Sequence, residues 1–248
     1  MSAWSVQNQL TLGQVKVDSK SNEITAIPKL LEIMDISGCV VTIDAMGAQT
    51  DIAKRIISGG GDYIFSLKGN QGTLHAEIVN YFNQALVHGE EGFEFTSFCE
   101  EEMAHGRYEK REVFVTDNID FLPQKGAWKG LKMVACIRST RIYKGEETVE
   151  KRYYITSLSA TVEELAHHIR SHWRIENQAH WVLDVAYRED RQRAKSGNIA
   201  ENLSVMRRIS LNYLKQDTTV KAGIEIKRQK AGWDTDYLLH LLGIKSFS

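Results

Sequence analysis

Proline is almost absent from this sequence. Its 248 residues hold two, Pro28 and Pro123, which excludes a proline-rich linker. With 42% apolar residues, the chain is also too rich in core formers to be disordered. Cysteine is scarce as well. Cys39, Cys99 and Cys136 are odd in number, lie far apart and match no metal-binding spacing, so they read as reduced thiols of a cytoplasmic protein. No apolar run approaches the ~18 residues of a membrane helix. Residues 1–8 lack the basic and apolar regions of an export signal. A charge excess is missing too: 31 Lys and Arg stand against 32 Asp and Glu. Nucleic-acid binding must therefore be argued from local patches. Neither an internal repeat nor a low-complexity segment is visible.

What is present is an ordered alternation of strands and helices. Residues 2–6 and 9–17 read as two strands with Leu10, Leu12, Val15 and Val17 on a half-buried face. A polar loop, Asp18 to Asn22, precedes a helix over residues 24–35, with Pro28 tolerated in its first turn. Residues 39–43 form a short apolar run of the kind buried on both faces of a sheet, ending at Asp44-Ala45-Met46-Gly47. A helix over 49–58, a glycine stop at Gly59-Gly60-Gly61 and a strand over 62–67 complete a βαβ unit with a parallel pair. Chemistry in such sheets sits at the carboxyl ends of strands, where Asp44 and Lys68 fall. Lys68-Gly69-Asn70-Gln71-Gly72 lacks the order of a phosphate-binding P-loop and reads as a glycine-rich lead-in to the helix over 73–85.

The pattern then becomes β-rich, with strands over 93–99, 109–115, 131–138 and 149–155. This segment opens acidic (Glu90, Glu91, Glu94, Glu100, Glu101, Glu102) and continues basic (His105, Arg107, Lys110, Arg111). The basic cluster either meets phosphates or forms a cross-strand ion-pair ladder with the acidic strand. Thr161-Val162-Glu163-Glu164 signals the start of a long helix. Along that helix His172, Glu176, His180 and Asp184 are four apart and share a face, beside an apolar stripe of Ile175, Ala179, Val182, Leu183 and Ala186. A further helix over 199–215 has Leu203, Met206, Ile209, Leu211 and Leu214 as expected core. A short apolar helix over 237–242 closes the chain.

An Asp at a strand end and a Glu on a distant helix can meet, and such carboxylates suit Mg²⁺ or Mn²⁺. Two such ions ~4 Å apart activate an oxygen nucleophile and stabilise the leaving oxygen of a phosphodiester. That chemistry wants a third acid.

These stretches resemble the DDE transposases of bacterial insertion sequences, in the branch of H-repeat-associated proteins. The matching residues are Lys16-Val17-Asp18 through Lys20-Ser21-Asn22-Glu23-Ile24, Thr42-Ile43-Asp44-Ala45-Met46-Gly47, Gly60-Gly61-Asp62-Tyr63, Leu67-Lys68-Gly69-Asn70-Gln71-Gly72 and His105-Gly106-Arg107. His172-Trp173-Arg174-Ile175-Glu176-Asn177 and His180-Trp181-Val182-Leu183-Asp184-Val185 complete them. The resemblance covers nearly the whole chain. It implies an α/β fold with an RNase H-like catalytic core, a β-rich insertion and a helical C-terminal part. The corresponding boundaries are residues 1–88 and 158–215 for the core, 89–157 for the insertion and 216–248 for the tail. Asp44 would be the second acid of the triad and Glu176 the third, both binding Mg²⁺ or Mn²⁺. The two carboxyl groups are expected within about 4–8 Å of each other. Apart from the resemblance, local clustering of basic residues makes Lys68, Arg107, Arg170, Arg174, Arg188, Arg191, Arg193, Arg207 and Arg208 the expected contacts to double-stranded DNA at transposon ends.

Two departures from the family pattern stand out. In related transposases the Glu helix reads Y-x2-R-x3-E-x6-K, whereas here Ile169, His172 and Leu183 occupy the Tyr, Arg and Lys positions. The family's first Asp lies in an Asp-Gly-Lys strand upstream of the Ser2-Ala3-Trp4 strand. The chain therefore reads as an amino-terminally truncated fragment with an incomplete sheet, inactive alone. Either a gap beside Asp44 or a direct pairing of the Ser2 strand with the 39–43 strand is expected. Partners would be DNA and a second copy or the full-length transposase. Two other readings stay open: a non-catalytic DNA-binding or regulatory remnant, and a helical zinc or iron site on His172, Glu176, His180 and Asp184.

Overall fold

The structure, a computed structural model, describes residues 1–17, 23–88, 93–104, 106–194 and 196–244. The readings made on residues 18–22, Glu90, Glu91 and His105 lie outside the described residues. The chain forms two compact units, Ser19–Arg170 and Met1–Asp18 with Ser171–Ser248.

The larger unit is a mixed α/β fold on one six-stranded sheet. Its strands are β3 (Val40–Ile43), β4 (Asp62–Leu67), β5 (Thr96–Ala104), β6 (Arg107–Thr116), β7 (Met133–Tyr143) and β8 (Glu146–Thr156). The spatial order is β3-β4-β8-β7-β6-β5. The β3–β4 pair is parallel, as the βαβ pattern predicts, and every other pair is antiparallel. Strands of the β-rich segment thus continue the sheet that carries Asp44.

Three helices, α1 (Glu23–Glu32), α2 (Thr50–Ser58) and α3 (Gly72–His88), precede the ribbon, and α4 (Val162–His172) follows it. Gly60 follows α2 with φ +78°, a left-handed turn that a side chain would strain. Alternate sheet residues Ile64, Val113, Val115, Ala135, Ile137 and Tyr154 form one core with Val162, Leu165, Ala166 and Ile169 of α4. On the other face α2 packs on β4 and α3 on β8, with His75 edge-on to Tyr153 at 5.4 Å. Burial then fades along the ribbon: β6 is buried over Val113, Phe114, Val115 and Thr116 and only half-buried from Arg107 to Glu112.

A cross-strand ion-pair ladder occupies the half-buried part. Glu100 faces Arg111 in register at 3.8 Å, and Arg138 donates two hydrogen bonds to Glu112 at 2.7 and 2.8 Å. Those bonds hold the Glu112 carboxyl below the usual carboxylate range, against its partial burial. Of the basic cluster, Arg111 pairs with the acidic strand, whereas Arg107 and Lys110 pair within β6, with Glu109 and Glu112.

The strand over 39–43 differs from expectation. β3 is half-buried along its length, because it is an edge strand with a neighbour on one side only.

The smaller unit begins with an antiparallel hairpin, β1 (Ser2–Ser5) and β2 (Leu10–Gln14), which is a two-stranded sheet of its own. The expected alternative in which the Ser2 strand pairs with the 39–43 strand is therefore not what forms. Four helices follow: α5 (Trp181–Tyr187), α6 (Ile199–Gln216), α7 (Ile224–Trp233) and α8 (Thr235–Leu241). Asn212 of α6 clamps β2, its amide donating to Thr11 O and accepting from Thr11 N–H, each at 2.9 Å. That exchange gives the hairpin edge the partners a third strand would supply. Leu211 and Leu214 are buried as expected, but Leu203, Met206 and Ile209 are exposed. The buried side chains of Asp217 and Lys227, with Tyr237, tie α7 and α8 to the end of α6.

Among the described residues, no helix is long and apolar enough to cross a membrane.

Candidate active site

Asp44 directly follows β3. Its backbone is still extended (φ −73°, ψ 176°) before the chain closes into the 3₁₀ turn Ala45–Gly47. The turn is held in place by close packing at Gly47. A Cβ there would sit 2.3 Å from Ile43 Cγ2 and 2.6 Å from Ile27 Cδ1, so only glycine fits. Asp44 itself is exposed, and its carboxylate bonds to nothing among the described residues. Lys68 follows β4, and because β3 and β4 are parallel both residues leave the sheet at the same end. The Lys68 charge lowers the pKa of Glu150, though less than the hydrogen bond from Arg152 does.

Glu176 sits in a less regular place than a straight helix implies. α4 starts with the predicted capping box: Thr161 N–H donates to Glu164 Oε2 (2.9 Å) and Glu164 N–H to Thr161 Oγ1 (3.3 Å). It ends at His172, and Glu176–His180 then forms a π-helical turn leading into α5. Such turns insert one residue into a helix and often mark functional positions. The insertion turns everything after it by about 100° relative to an unbroken α-helix. The row of His172, Glu176, His180 and Asp184 thus runs across the π turn and not along one unbroken α-helix. Glu176 and His180 do meet, with Oε2 3.3 Å from Nδ1. Among the described residues no three His, Cys, Asp or Glu side chains gather to hold a metal ion. The helical zinc or iron site thus has no support. Within the apolar stripe Ala179, Leu183 and Ala186 are buried, whereas Trp173 and Trp181 are exposed.

The candidate DNA-contacting cations divide into two groups. Arg170 reaches Glu100 (2.9 Å) and Glu102 (3.6 Å), and Arg107 reaches Glu109 (2.9 Å). Arg208 bonds Glu189 (2.7 Å) and Ser204, and Arg207 bonds Gln192 (2.8 Å). These four are occupied in holding the fold. By contrast the exposed side chains of Arg174, Arg188, Arg191 and Arg193 have no partner among the described residues. Lys195, between Arg193 and α6, lies outside the described residues.

Two residues that contact the Asp44 loop were not singled out by the sequence reading. Asn70 and Gln71, in the 3₁₀ turn Gly69–Gln71 after Lys68, hydrogen-bond to the backbone of the Asp44 loop. Their only trace in the sequence is the glycine-flanked motif rejected as a P-loop.

Comparison with known proteins adds the family. Residues 1–213 match the family described as Transposase DDE domain. The chain belongs to the DDE transposase family. It is 42% identical to the "H repeat-associated putative transposase YhhI" of Escherichia coli (strain K12), over 98% of this chain and 65% of that protein. It is 43% identical to the "Putative protein YbfL" of the same strain, again over 98% and 65%. With the "Putative transposase YncI" of Escherichia coli O157:H7 the identity is 41%, over 98% and 62%. The chain thus spans a little under two thirds of the length of these relatives.

Both carboxylates of this DDE chain suit a hard divalent cation. Asp44 offers unshared oxygens at the open end of a parallel strand pair, and Glu176 offers an exposed carboxylate with one histidine neighbour.

Proposed function

We propose that this chain supplies Asp44 and Glu176 to Mg²⁺- or Mn²⁺-dependent cleavage and joining of DNA at insertion-sequence ends, in the cytoplasm. The observation that carries the reading is the Asp44 carboxylate at the carboxyl end of a parallel strand pair, unpartnered among the described residues. Family membership supplies the reaction class. The parallel pair followed by antiparallel strands is compatible with an RNase H-like core, which belongs to the same proposal. When bound, the metal would activate the attacking oxygen and neutralise charge on the phosphodiester. The protein's own part is to hold Asp44 on a packed turn, to present Glu176 from the π turn, and to seat DNA phosphates on Arg174, Arg188, Arg191 and Arg193. Lys68, which leaves the sheet at the same end as Asp44, would meet a phosphate near the cut. A second copy or a full-length transposase is the proposed protein partner.

A second reading is a DNA-binding protein without chemistry. It is favoured by the lack of a third gathered ligand among the described residues. On that ground we infer weak or no cleavage by the chain alone. The two readings separate in one experiment. Fe²⁺ with ascorbate and peroxide cuts a polypeptide beside bound iron, and Mg²⁺ should compete. The proposal expects cuts beside both Asp44 and Glu176, both lost in Asp44→Asn and in Glu176→Gln. Cuts at one stretch only, or cuts indifferent to these substitutions, refute a shared site. Nicking of a transposon-end duplex in Mn²⁺, abolished by either substitution, would show that the two acids suffice.

A further inference from the structure

The motif Lys68-Gly69-Asn70-Gln71-Gly72 lacks the order of a P-loop, yet its side chains have a definite task. Asn70 Nδ2 donates to Ala45 O at 2.5 Å, and Gln71 Nε2 donates to Ala48 O at 2.7 Å. Both acceptors are backbone carbonyls, so the amide nitrogens must be the donors. The two bonds grip the turn after Asp44 at its first residue and just past its last. Inside the turn Gly47 N–H donates to Asp44 O (3.1 Å) and Ala48 N–H to Ala45 O (3.3 Å). From below, Gly47 is packed against Ile43 and Ile27. Every polar device here is spent on the backbone, and the Asp44 carboxylate is left open.

We propose that Asn70 and Gln71 are positioning residues for Asp44. They join the ends of the two parallel strands through side-chain amides and so fix the direction in which the Asp44 carboxylate leaves β3. The inference rests on the reading of Asp44 as a metal-binding acid. It adds that the motif after β4 prepares that acid for its ion. A ligand held before the ion arrives costs less ordering on binding than one on a loose loop. The amides touch neither metal nor DNA in this account and act only through the Asp44 loop.

The test uses the whole chain with Asn70→Ala, Gln71→Ala and the double variant. Asn70 is exposed and Gln71 half-buried, so their truncation leaves the core intact. Isosteric Asn70→Asp and Gln71→Glu, which remove the donors without changing shape, guard against a packing effect. Two quantities are read: amide hydrogen exchange over residues 45–48, and the Fe²⁺ concentration giving half-maximal cutting beside Asp44. In the double variant, exchange should quicken about 10- to 100-fold at these amides, with β4 and β8 unchanged. The iron requirement should rise about tenfold. Unchanged exchange overturns the clamp itself. Faster exchange with an unchanged iron requirement, in a chain where Asp44→Asn abolishes the cut, overturns the positioning role and leaves Asp44 as a ligand. Cutting that survives Asp44→Asn overturns the metal reading of Asp44, and the positioning inference falls with it.

Discussion

Replacing Lys227 with methionine should destabilise the unit that carries Glu176 far more than its place in a short late helix suggests. Lys227 Nζ lies 3.2 Å from Asp217 Oδ2, and the two side chains are 8% and 1% exposed. The ammonium also donates to Leu214 O (3.3 Å) and Asp217 O (2.5 Å), capping the end of α6. Methionine has about the right length and fills the space, but it leaves a buried anion with hydrogen bonds from Thr219, Val220 and Tyr237 and the exposed His240 imidazole 4.0 Å away. Removing one partner of a buried pair typically costs about 3–5 kcal/mol. For a chain of this size, that is a fall in Tm of roughly 10 °C. The pH dependence has a definite sign. Burial alone would raise the Asp217 pKa, but hydrogen bonds from Thr219, Tyr237 and Lys227 outweigh it, so the folded pKa lies well below the ordinary value. The stability this contributes is present at neutral pH, above the unfolded pKa of ~3.9, and is lost as pH falls through the folded pKa. The gap between wild type and Lys227→Met should therefore narrow in acid. Urea unfolding at pH 7 and at about pH 2 measures both effects. A variant within about 0.5 kcal/mol of wild type at neutral pH would refute the reasoning, since surface substitutions fall in that range.

Other outcomes follow from single interactions. Gly47→Ala forces a Cβ into Ile43 and Ile27 and should cost about 1–3 kcal/mol in thermal unfolding, partly recovered by Ile27→Val, which removes the Cδ1 it meets. Thr161→Ala removes one half of the α4 capping box and should cost about 0.5–2 kcal/mol, with Glu164→Ala adding less than its own separate cost. Arg188, Arg191 and Arg193 changed to alanine together should weaken duplex binding and flatten its salt dependence, by roughly 0.9 in log–log slope for each phosphate no longer neutralised. Arg207→Ala and Arg208→Ala should lower Tm while leaving that slope alone. The opposite pattern would show that the occupied arginines are the ones that meet DNA.

The parts of the fold that were legible in the sequence are local. The βαβ unit, the four ribbon strands and the Thr161–Glu164 cap follow from periodicity and from residues three or four apart. The π turn at Glu176 was not legible, because one inserted residue leaves the hydrophobic pattern nearly unchanged while rotating the polar face. Leu203, Met206 and Ile209 read as core because a helix stripe reports that a face is apolar and not whether anything covers it. Which arginines are already paired depends on partners as far away as Glu100 is from Arg170, and charge counting cannot supply those. Asn70 and Gln71 were missed for the same reason: their acceptors are backbone carbonyls 25 and 23 positions earlier, and any residue presents a carbonyl.

The strand order has a consequence for kinetics. The β5–β6 and β7–β8 hairpins join neighbours in sequence and need only short loops to close, and β6 and β7 are joined by residues 117–132. The step from β8 to β4 is different. There Thr156 Oγ1 donates to Tyr63 O at 2.6 Å across a separation of 93 positions, and Ser157 Oγ takes the Tyr63 N–H at 2.9 Å. Chain entropy makes such a distant closure slow relative to the hairpins. The ribbon is then expected to form as an early folding unit, and the parallel pair beneath Asp44 to be completed late, when β8 docks. Until that moment β4 lacks its antiparallel neighbour. The nascent chain would therefore hold β4, the strand beside its acid, open on one side for longer than it holds any strand of the ribbon.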